Sequence, residues 1–273
     1  MNTNDLSGKV AVVTGGARGI GEGISRVLAS YGASVVIGER SIGYAARIVG
    51  DIAESGIGSA TVRQLDVTSN TSVLDMVEKT IQQFGHIDIL VNNAGVVAAP
   101  DWHNRREDLE EDTELIHETN VRGTERVTNA ILPYMQKQQY GRIVNISSIA
   151  GLKANRAHVP VAYSASKAAL IQMTKIWALS NARYDITANA VCPGLVWTAM
   201  WEKIGKRLLN LHTESDSAWR TAHDVFNQQV EERIPLRKPQ SPEDIGQLVA
   251  FLVSPHAWFI TGAYIPADGG AHL

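Results

Sequence analysis

Residues 9–21 read KVAVVTGGARGIG, and the architecture follows from them. The stretch 9–14 is a nearly continuous, β-branched apolar run, as expected for a strand covered on both faces. It leads directly into Gly15, Gly19 and Gly21. Ile20, Ile24, Val27, Leu28 and Tyr31 then recur at helical spacing, and Gly32 supplies the stop. A second apolar run, 34–38, ends at Glu39. Strand, glycine turn, helix and strand make a βαβ unit, so the sheet is parallel. The glycines clear side chains from where backbone must approach a pyrophosphate, and the helix N-terminus points at that charge. The spacing is Gly-x-x-x-Gly-x-Gly rather than the commoner Gly-x-Gly-x-x-Gly. A carboxylate ending the second strand accepts hydrogen bonds from an adenosine ribose and repels a 2′-phosphate. Glu39 therefore favours NAD. Arg18 in the turn and Arg40 beside Glu39 leave NADP open, because a guanidinium receives phosphate well.

The alternation continues along the chain. Patterning predicts a helix over 41–54, a strand over 60–65, a helix over 70–84 and a buried strand over 88–91. Asn92-Asn93-Ala94-Gly95 breaks that strand. A polar loop follows over 96–112, and its charge run, 105–111, is expected to be a solvated face. A long helix over 113–138, kinked near Pro133, precedes a strand at 142–147. The next helix is expected from about Pro160 to Tyr184, and the next strand over 186–191, ended by Cys192-Pro193-Gly194. The segment 195–237 departs from the rhythm. It has no strand pattern and is rich in Trp, Arg, His and Asn; Trp219, Ala222, Phe226 and Val230 fall on one helical face. Ser241 and Pro242 are a helix start, with the helix running to Val253, and a last strand is expected at 263–266. No linker or repeat divides the chain. The expectation is one doubly wound, Rossmann-type α/β domain over 1–273, with about seven parallel strands, helices on both faces and a substrate lid inserted at about 195–237.

The totals narrow the function classes. A formal charge of -3 gives no basic footprint for nucleic acid or for an anionic membrane. No apolar run approaches the ~20 residues that span a bilayer. The start, MNTNDLSGKV, lacks a basic segment followed by an apolar one, so no signal peptide is expected. A single cysteine, Cys192, excludes an internal disulfide and fits a reducing compartment. A cytoplasmic protein acting on a small molecule is expected.

Residues 148–167, SIAGLKANRAHVPVAYSASK, carry the chemistry. Tyr163 and Lys167 are four apart, on one face of the expected helix. A tyrosine of ordinary pKa, ~10, is a poor base at neutral pH, and lowering it to about 7 takes roughly 4 kcal/mol. A cation about 4 Å away, at an effective dielectric near 20, supplies about that much. Ser148 adds a hydroxyl able to bond a developing alkoxide. Ser147 lies on the opposite side of the chain by alternation. Such a pair arises by chance in a chain with seven tyrosines, so its weight comes from what surrounds it.

Taken together, these residues resemble the short-chain dehydrogenase/reductase family over nearly the whole chain. The turn with Gly15, Arg18, Gly19, Ile20 and Gly21 resembles the family's cofactor motif. Asp66 and Val67 resemble its adenine contact, and Asn93, Ala94 and Gly95 belong to its Asn-Asn-Ala-Gly. Asn120, Ser148, Tyr163 and Lys167 match its catalytic set; Pro193, Gly194, Val196 and Thr198 match the segment around the nicotinamide. The resemblance implies hydride transfer, with Tyr163 as acid/base, Ser148 on the substrate oxygen, and Lys167 on the cofactor ribose while lowering the tyrosine pKa. By the same analogy Asn120 holds a relay water. It also implies a homotetramer and no metal, so Asp101, His103 and Glu107 are not expected to be ligands. Cys192 is expected to be a buried filler.

Two features bear on the substrate. The step from Ser148 to Tyr163, fifteen residues, is longer than the family's common spacing, which brings His158 into consideration as a pocket residue. Thr198-Ala199-Met200-Trp201 resembles the subgroup acting on acetoin, butanediol and polyols, with Trp197, Met200 and Trp201 as an apolar wall or as lid packing. The expected substrate is a small diol, polyol or hydroxyketone. The alternatives are an NADPH-dependent 3-oxoacyl thioester reductase, a reductase of cyclic or steroid alcohols, and a non-catalytic dinucleotide sensor.

Overall fold

A computed structural model describes residues 4–153, 159–211 and 221–273. His158 and Trp219 lie outside the described residues. Seven strands form one parallel sheet: β1 (Val10–Thr14), β2 (Ser34–Glu39), β3 (Ser59–Gln64), β4 (Ile89–Asn92), β5 (Gly141–Ile146), β6 (Ile186–Pro193) and β7 (Tyr264–Ala267). Their order is β3-β2-β1-β4-β5-β6-β7, with every neighbouring pair parallel. The order reverses between β1 and β4, where a doubly wound sheet opens its ligand crevice at the carboxyl ends of the strands.

Alternate strand residues serve opposite faces. Ala11, Val13, Val35, Ile37 and Val91 pack with Ile24, Val27 and Leu28 of α1 (Gly19–Ser30) and with Ile245 and Val249 of α9 (Pro242–Val253). Val10, Val12, Val36, Leu90 and Ile143 face the other layer. That layer holds Val73 and Met76 of α3 (Asn70–Phe84), Val127 and Ile131 of α5 (Thr124–Gln138), and Trp177 of α6 (Val161–Asn181). On the first face the helices touch backbone to backbone. A Cβ on Gly23 would stand 2.4 Å from the carbonyl carbon of Pro242, so only glycine lets α1 lie on the start of α9.

Several expected elements shift. The helix expected from residue 41 begins as a short 3₁₀ turn, Ile42–Tyr44, before α2 (Ala45–Ser55), because the Glu39 carboxylate takes the N–H groups of Arg40 and Ser41. The long helix expected over 113–138 is three pieces: α4 (Glu110–Ile116), a π-helical stretch His117–Gly123, and α5, which continues through Pro133. The irregularity sits at Asn120 rather than at the proline. There the Thr124 hydroxyl donates to the Asn120 carbonyl (2.9 Å) and takes up the group that the wider turn releases. Between β6 and α9, the 195–237 segment carries α7 (Ala199–Leu211) and α8 (Ala222–Arg233). Among the described residues no helix is long and apolar enough to cross a membrane.

Candidate active site

The glycine turn leaves β1 at the switch point, and the next loop of the sheet locks it. Thr14 Oγ1 accepts from the N–H groups of Asn93 (3.0 Å) and Ala94 (2.9 Å), while Asn93 Nδ2 donates to the carbonyls of Thr14 and Gly15, both at 3.0 Å. A Cβ on Gly21 would stand 2.1 Å from the Gly15 carbonyl oxygen, a distance no side chain survives. Helix α1 starts behind Arg18 with no side-chain cap, whereas α3, α8 and α9 are capped by Ser69, Thr221 and Ser241. Uncapped first-turn N–H groups behind a glycine turn fit a dinucleotide pyrophosphate.

At the end of β2, Glu39 is buried. Its Oε1 accepts from Arg40 N (3.0 Å) and lies 3.9 Å from Arg18 Nη2. Arg18 also stacks 4.7 Å from the Tyr44 ring centre, and Arg40 is exposed. At Asp66, burial pushes the carboxyl up, but the hydroxyl and N–H of Thr68, with Arg40 and Arg126 nearby, hold it below its ordinary value. Val67 is buried next to it, and the carbonyl of Val67 accepts from Arg126 (2.6 Å). Thr198 stands above the turn, its Cγ2 3.0 Å from where a Gly19 Cβ would be. Val196 is buried and bridges to Gln240, and Gly194 N donates to Ala267 O (3.0 Å), which places Pro193 and Gly194 beside the end of β7. Ile20 is half-buried against the sheet.

Asn120, Ser148, Tyr163 and Lys167 converge at the ends of β4 and β5. The π turn aims the Asn120 amide across the crevice. Its Oδ1 accepts from Val96 N (2.8 Å), and its Nδ2 donates to Val96 O (2.9 Å) and Ser166 Oγ (3.1 Å). Asn120 Oδ1 and Lys167 Nζ would stand 3.2 Å and 3.4 Å from a Cβ on Gly95, so both face that loop. The two serines separate as alternation predicts. Ser147 Oγ is spent on the Lys167 carbonyl (2.7 Å), whereas Ser148 is half-exposed, with Oγ accepting from Ala150 N (3.1 Å) and close enough to Tyr163 to favour its ionised form.

The electrostatics of the tyrosine differ from the expectation. Lys167 Nζ is 5.7 Å from the Tyr163 ring centre and donates to the Ile146 carbonyl (2.9 Å). Burial pushes Tyr163 up to about 12, and the neighbouring Ser148 side chain only partly offsets it. Burial likewise pushes the Lys167 ammonium down to about 8. The Cys192 thiol is buried and raised to about 11, which suits a filler and not a nucleophile.

On the substrate side, Met200 Sδ is 3.8 Å from the Tyr163 hydroxyl. Trp197 packs edge-on against Phe226 (5.2 Å between ring centres) and His223 (4.7 Å), and Trp201 against Phe226 (5.1 Å). Met200 and Trp201 both pack against the cluster that contains Tyr163, and Met200 reaches its hydroxyl. The charge run 105–111 is not simply a solvated face. Arg105 pairs with buried Asp112 (2.9 Å), and Asp108 accepts from Trp102 Nε1 (2.7 Å) and Arg207 (2.9 Å). Ser166, Trp102 and Arg207 escaped the sequence reading. An arginine between Ile204 and Leu208, on the apolar side of α7, was the available signal for Arg207.

Known proteins place this geometry. A family model described as "Enoyl-(Acyl carrier protein) reductase" matches residues 15–272. The chain is 37% identical over 265 residues to the 3-oxoacyl-[acyl-carrier-protein] reductase of Thermotoga maritima, covering 97% of this chain and 98% of that one. It is 34% identical over 267 residues to the L-fucose dehydrogenase of Bos taurus, covering 98% and 90%. A solved structure of NAD+-bound xylitol dehydrogenase matches with a TM-score of 0.86 at 31% identity, over 97% of this chain and 99% of that one. With matches of this extent, running from the glycine turn through β7, the chain belongs to the short-chain dehydrogenase/reductase family of oxidoreductases.

Proposed function

We propose that this chain interconverts a small secondary alcohol and its ketone with NAD(H), the substrate being a diol, polyol or hydroxyketone. The observation that carries the substrate class is Met200. Its sulfur already stands 3.8 Å from the Tyr163 hydroxyl, so a long or bulky group at the reacting carbon meets an apolar wall. Buried Glu39 supports NAD over NADP, as does the likeness to the NAD+-bound xylitol dehydrogenase.

When bound, the nicotinamide supplies or accepts the hydride. The chain's own groups manage the proton and the oxygen. Ser148 donates a hydrogen bond to the substrate oxygen, and Tyr163 gives the proton in reduction or takes it in oxidation. A phenol raised to about 12 stays protonated at neutral pH, the form that reduction requires. Oxidation needs the phenolate, so its rate rises as pH rises. Lys167, lowered to about 8, remains mostly ammonium at pH 7, a cation 5.7 Å from the Tyr163 ring centre. Asn120, tied to Val96 at both amide atoms, holds the loop that faces Lys167.

A second reading, an NADPH-dependent 3-oxoacyl thioester reductase, is favoured by the 37% identity to the Thermotoga maritima reductase and by the exposed Arg40. Turnover of 2,3-butanediol, sorbitol and acetoacetyl thioester with each cofactor separates the two. The expected result is diol or polyol oxidation with NAD. Activity on the thioester alone, with NADPH alone, overturns both the substrate and the cofactor assignment. The exposed Ile176 and Leu179 of α6 support a homotetramer, which light scattering tests.

A further inference from the structure

One face of α7 holds a stripe at helical spacing: Met200, Lys203, Arg207 and Asn210. Met200 reaches the Tyr163 hydroxyl. The other three donate to backbone carbonyls of the loop that leaves β4. Lys203 Nζ reaches Ala99 O (3.0 Å), Arg207 reaches Trp102 O, Arg105 O and Arg106 O (each 2.9 Å), and Asn210 Nδ2 reaches His103 O (2.8 Å). Five carbonyls of an irregular loop are thus satisfied by a single helix face.

Arg207 is the centre of this clasp. It is 7% exposed, bonds Asp108 at 2.9 Å, and lies 4.2 Å from the Trp102 ring centre. Asp108 also fixes the Trp102 indole N–H (2.7 Å). Trp102 is itself buried in the apolar cluster that contains Tyr163, Ile204 and Leu208. The loop is in turn anchored beneath. Ala99 N donates to buried Asp112 (2.8 Å), and Val96 is held by both amide atoms of Asn120.

We propose that Arg207, through its fork of bonds to the 102–108 loop, is a positioning residue that sets the distance of Met200 from Tyr163 and so the size of substrate admitted. Helix α7 and the loop act as one body. Releasing the clasp lets α7 draw back from the phenol, which leaves the proton chemistry and the nucleotide side intact. This rests on Tyr163 being the acid/base, but not on the substrate being a diol.

The test compares wild type with Arg207→Lys, Arg207→Met and Asp108→Asn. It uses the best small secondary alcohol the wild type oxidises and 1-phenylethanol as a bulky one, with NADH affinity followed by fluorescence. Arg207→Met is expected to raise KM for the small alcohol about tenfold or more with kcat within about threefold. Selectivity shifts toward the bulky alcohol, and the NADH affinity is unchanged. Arg207→Lys keeps the charge without the fork and falls between. Asp108→Asn retains the three carbonyl bonds and gives the same shift more weakly, so the inference stays testable if Arg207→Met does not fold. Equal losses on both alcohols, or a fall in kcat with KM unchanged, overturn the positioning role. If wild type instead turns over only thioesters, the substrate assignment fails, and the clasp is then judged on short against long acyl chains.

Discussion

On the nucleotide side of the site, backbone packs on backbone. A Cβ on Gly21 would sit 2.1 Å from Gly15 O, and Asn93 ties the turn to the end of β4 through two main-chain carbonyls at 3.0 Å. On the substrate side, between α7 and the 96–112 loop, the joints are long side chains reaching loop carbonyls, with Arg207 alone making three such bonds. The first construction tolerates no added atom. It holds one shape for one ligand, the dinucleotide. The second has soft, adjustable members, each a side chain of several rotatable bonds, so it can be retuned one residue at a time without disturbing the turn. Tyr163 stands where the two meet, beside Ser148 and touching Met200 of the adjustable side.

The largest effect should come at that junction. Tyr163→Phe is expected to lower alcohol oxidation by about 10²–10⁴-fold and to abolish its rise with pH, while NADH affinity stays within about twofold. Steady-state rates over a pH series and a fluorescence titration measure both. Unchanged activity removes the tyrosine from the mechanism; a parallel loss of NADH binding means the two sides are not separable there. Next, Glu39→Ala removes the carboxylate that repels a 2′-phosphate and frees Arg18 at 3.9 Å. The NADPH-to-NADH ratio of kcat/KM should rise roughly 10–100-fold, with selectivity among alcohols unmoved. A change in alcohol preference would show that the two constructions are coupled.

Smaller effects are read in stability. Gly21→Ala is expected to cost about 1–3 kcal/mol by overpacking, or roughly 2–12 °C in Tm, and to weaken NADH binding. Gly50, exposed in α2 with nothing within 4 Å of its would-be Cβ, is the control. Gly50→Ala should stabilise by about 0.5–1 kcal/mol. Thermal unfolding of the two variants measures the difference between a glycine that geometry demands and one it does not.

The same contrast explains what was legible in the sequence. Constraints from backbone contact leave a glycine behind, and strands covered on both faces leave an unbroken apolar run. Residues 9–39 could therefore be read almost as they fold, and α3 and α9 with them. Catalytic candidates were legible through their company: alternation separated Ser147 from Ser148, and the Ser-x-x-Gly spacing to Gly151 favoured Ser148. Long side chains that solvate a distant loop leave no such mark. Arg207 and Asp108 are about a hundred positions apart, and the run 105–111 looks like any solvated charge cluster until α7 is placed over it. The π turn at His117–Gly123 has the composition of ordinary helix, and the bond it lets Asn120 make to Val96 joins residues far apart in the chain. A spacing of four puts Lys167 on the right face but says nothing of the Ile146 carbonyl that holds it 5.7 Å from the ring.

Gly23 joins parts of the chain that are made far apart in time. Helix α1 is synthesised well before the partner that its glycine admits, Pro242 at the head of α9, which follows roughly 220 residues later. At about 5–20 residues per second, the wait between them on the ribosome is roughly 10–45 s. Throughout it Ile24, Val27 and Leu28 lack the Ile245 and Val249 that cover them in the finished molecule. The nucleotide-binding turn thus emerges well before the helix that seals α1. Until α9 is made, the apolar face of α1 lacks the side chains that bury it in the folded molecule.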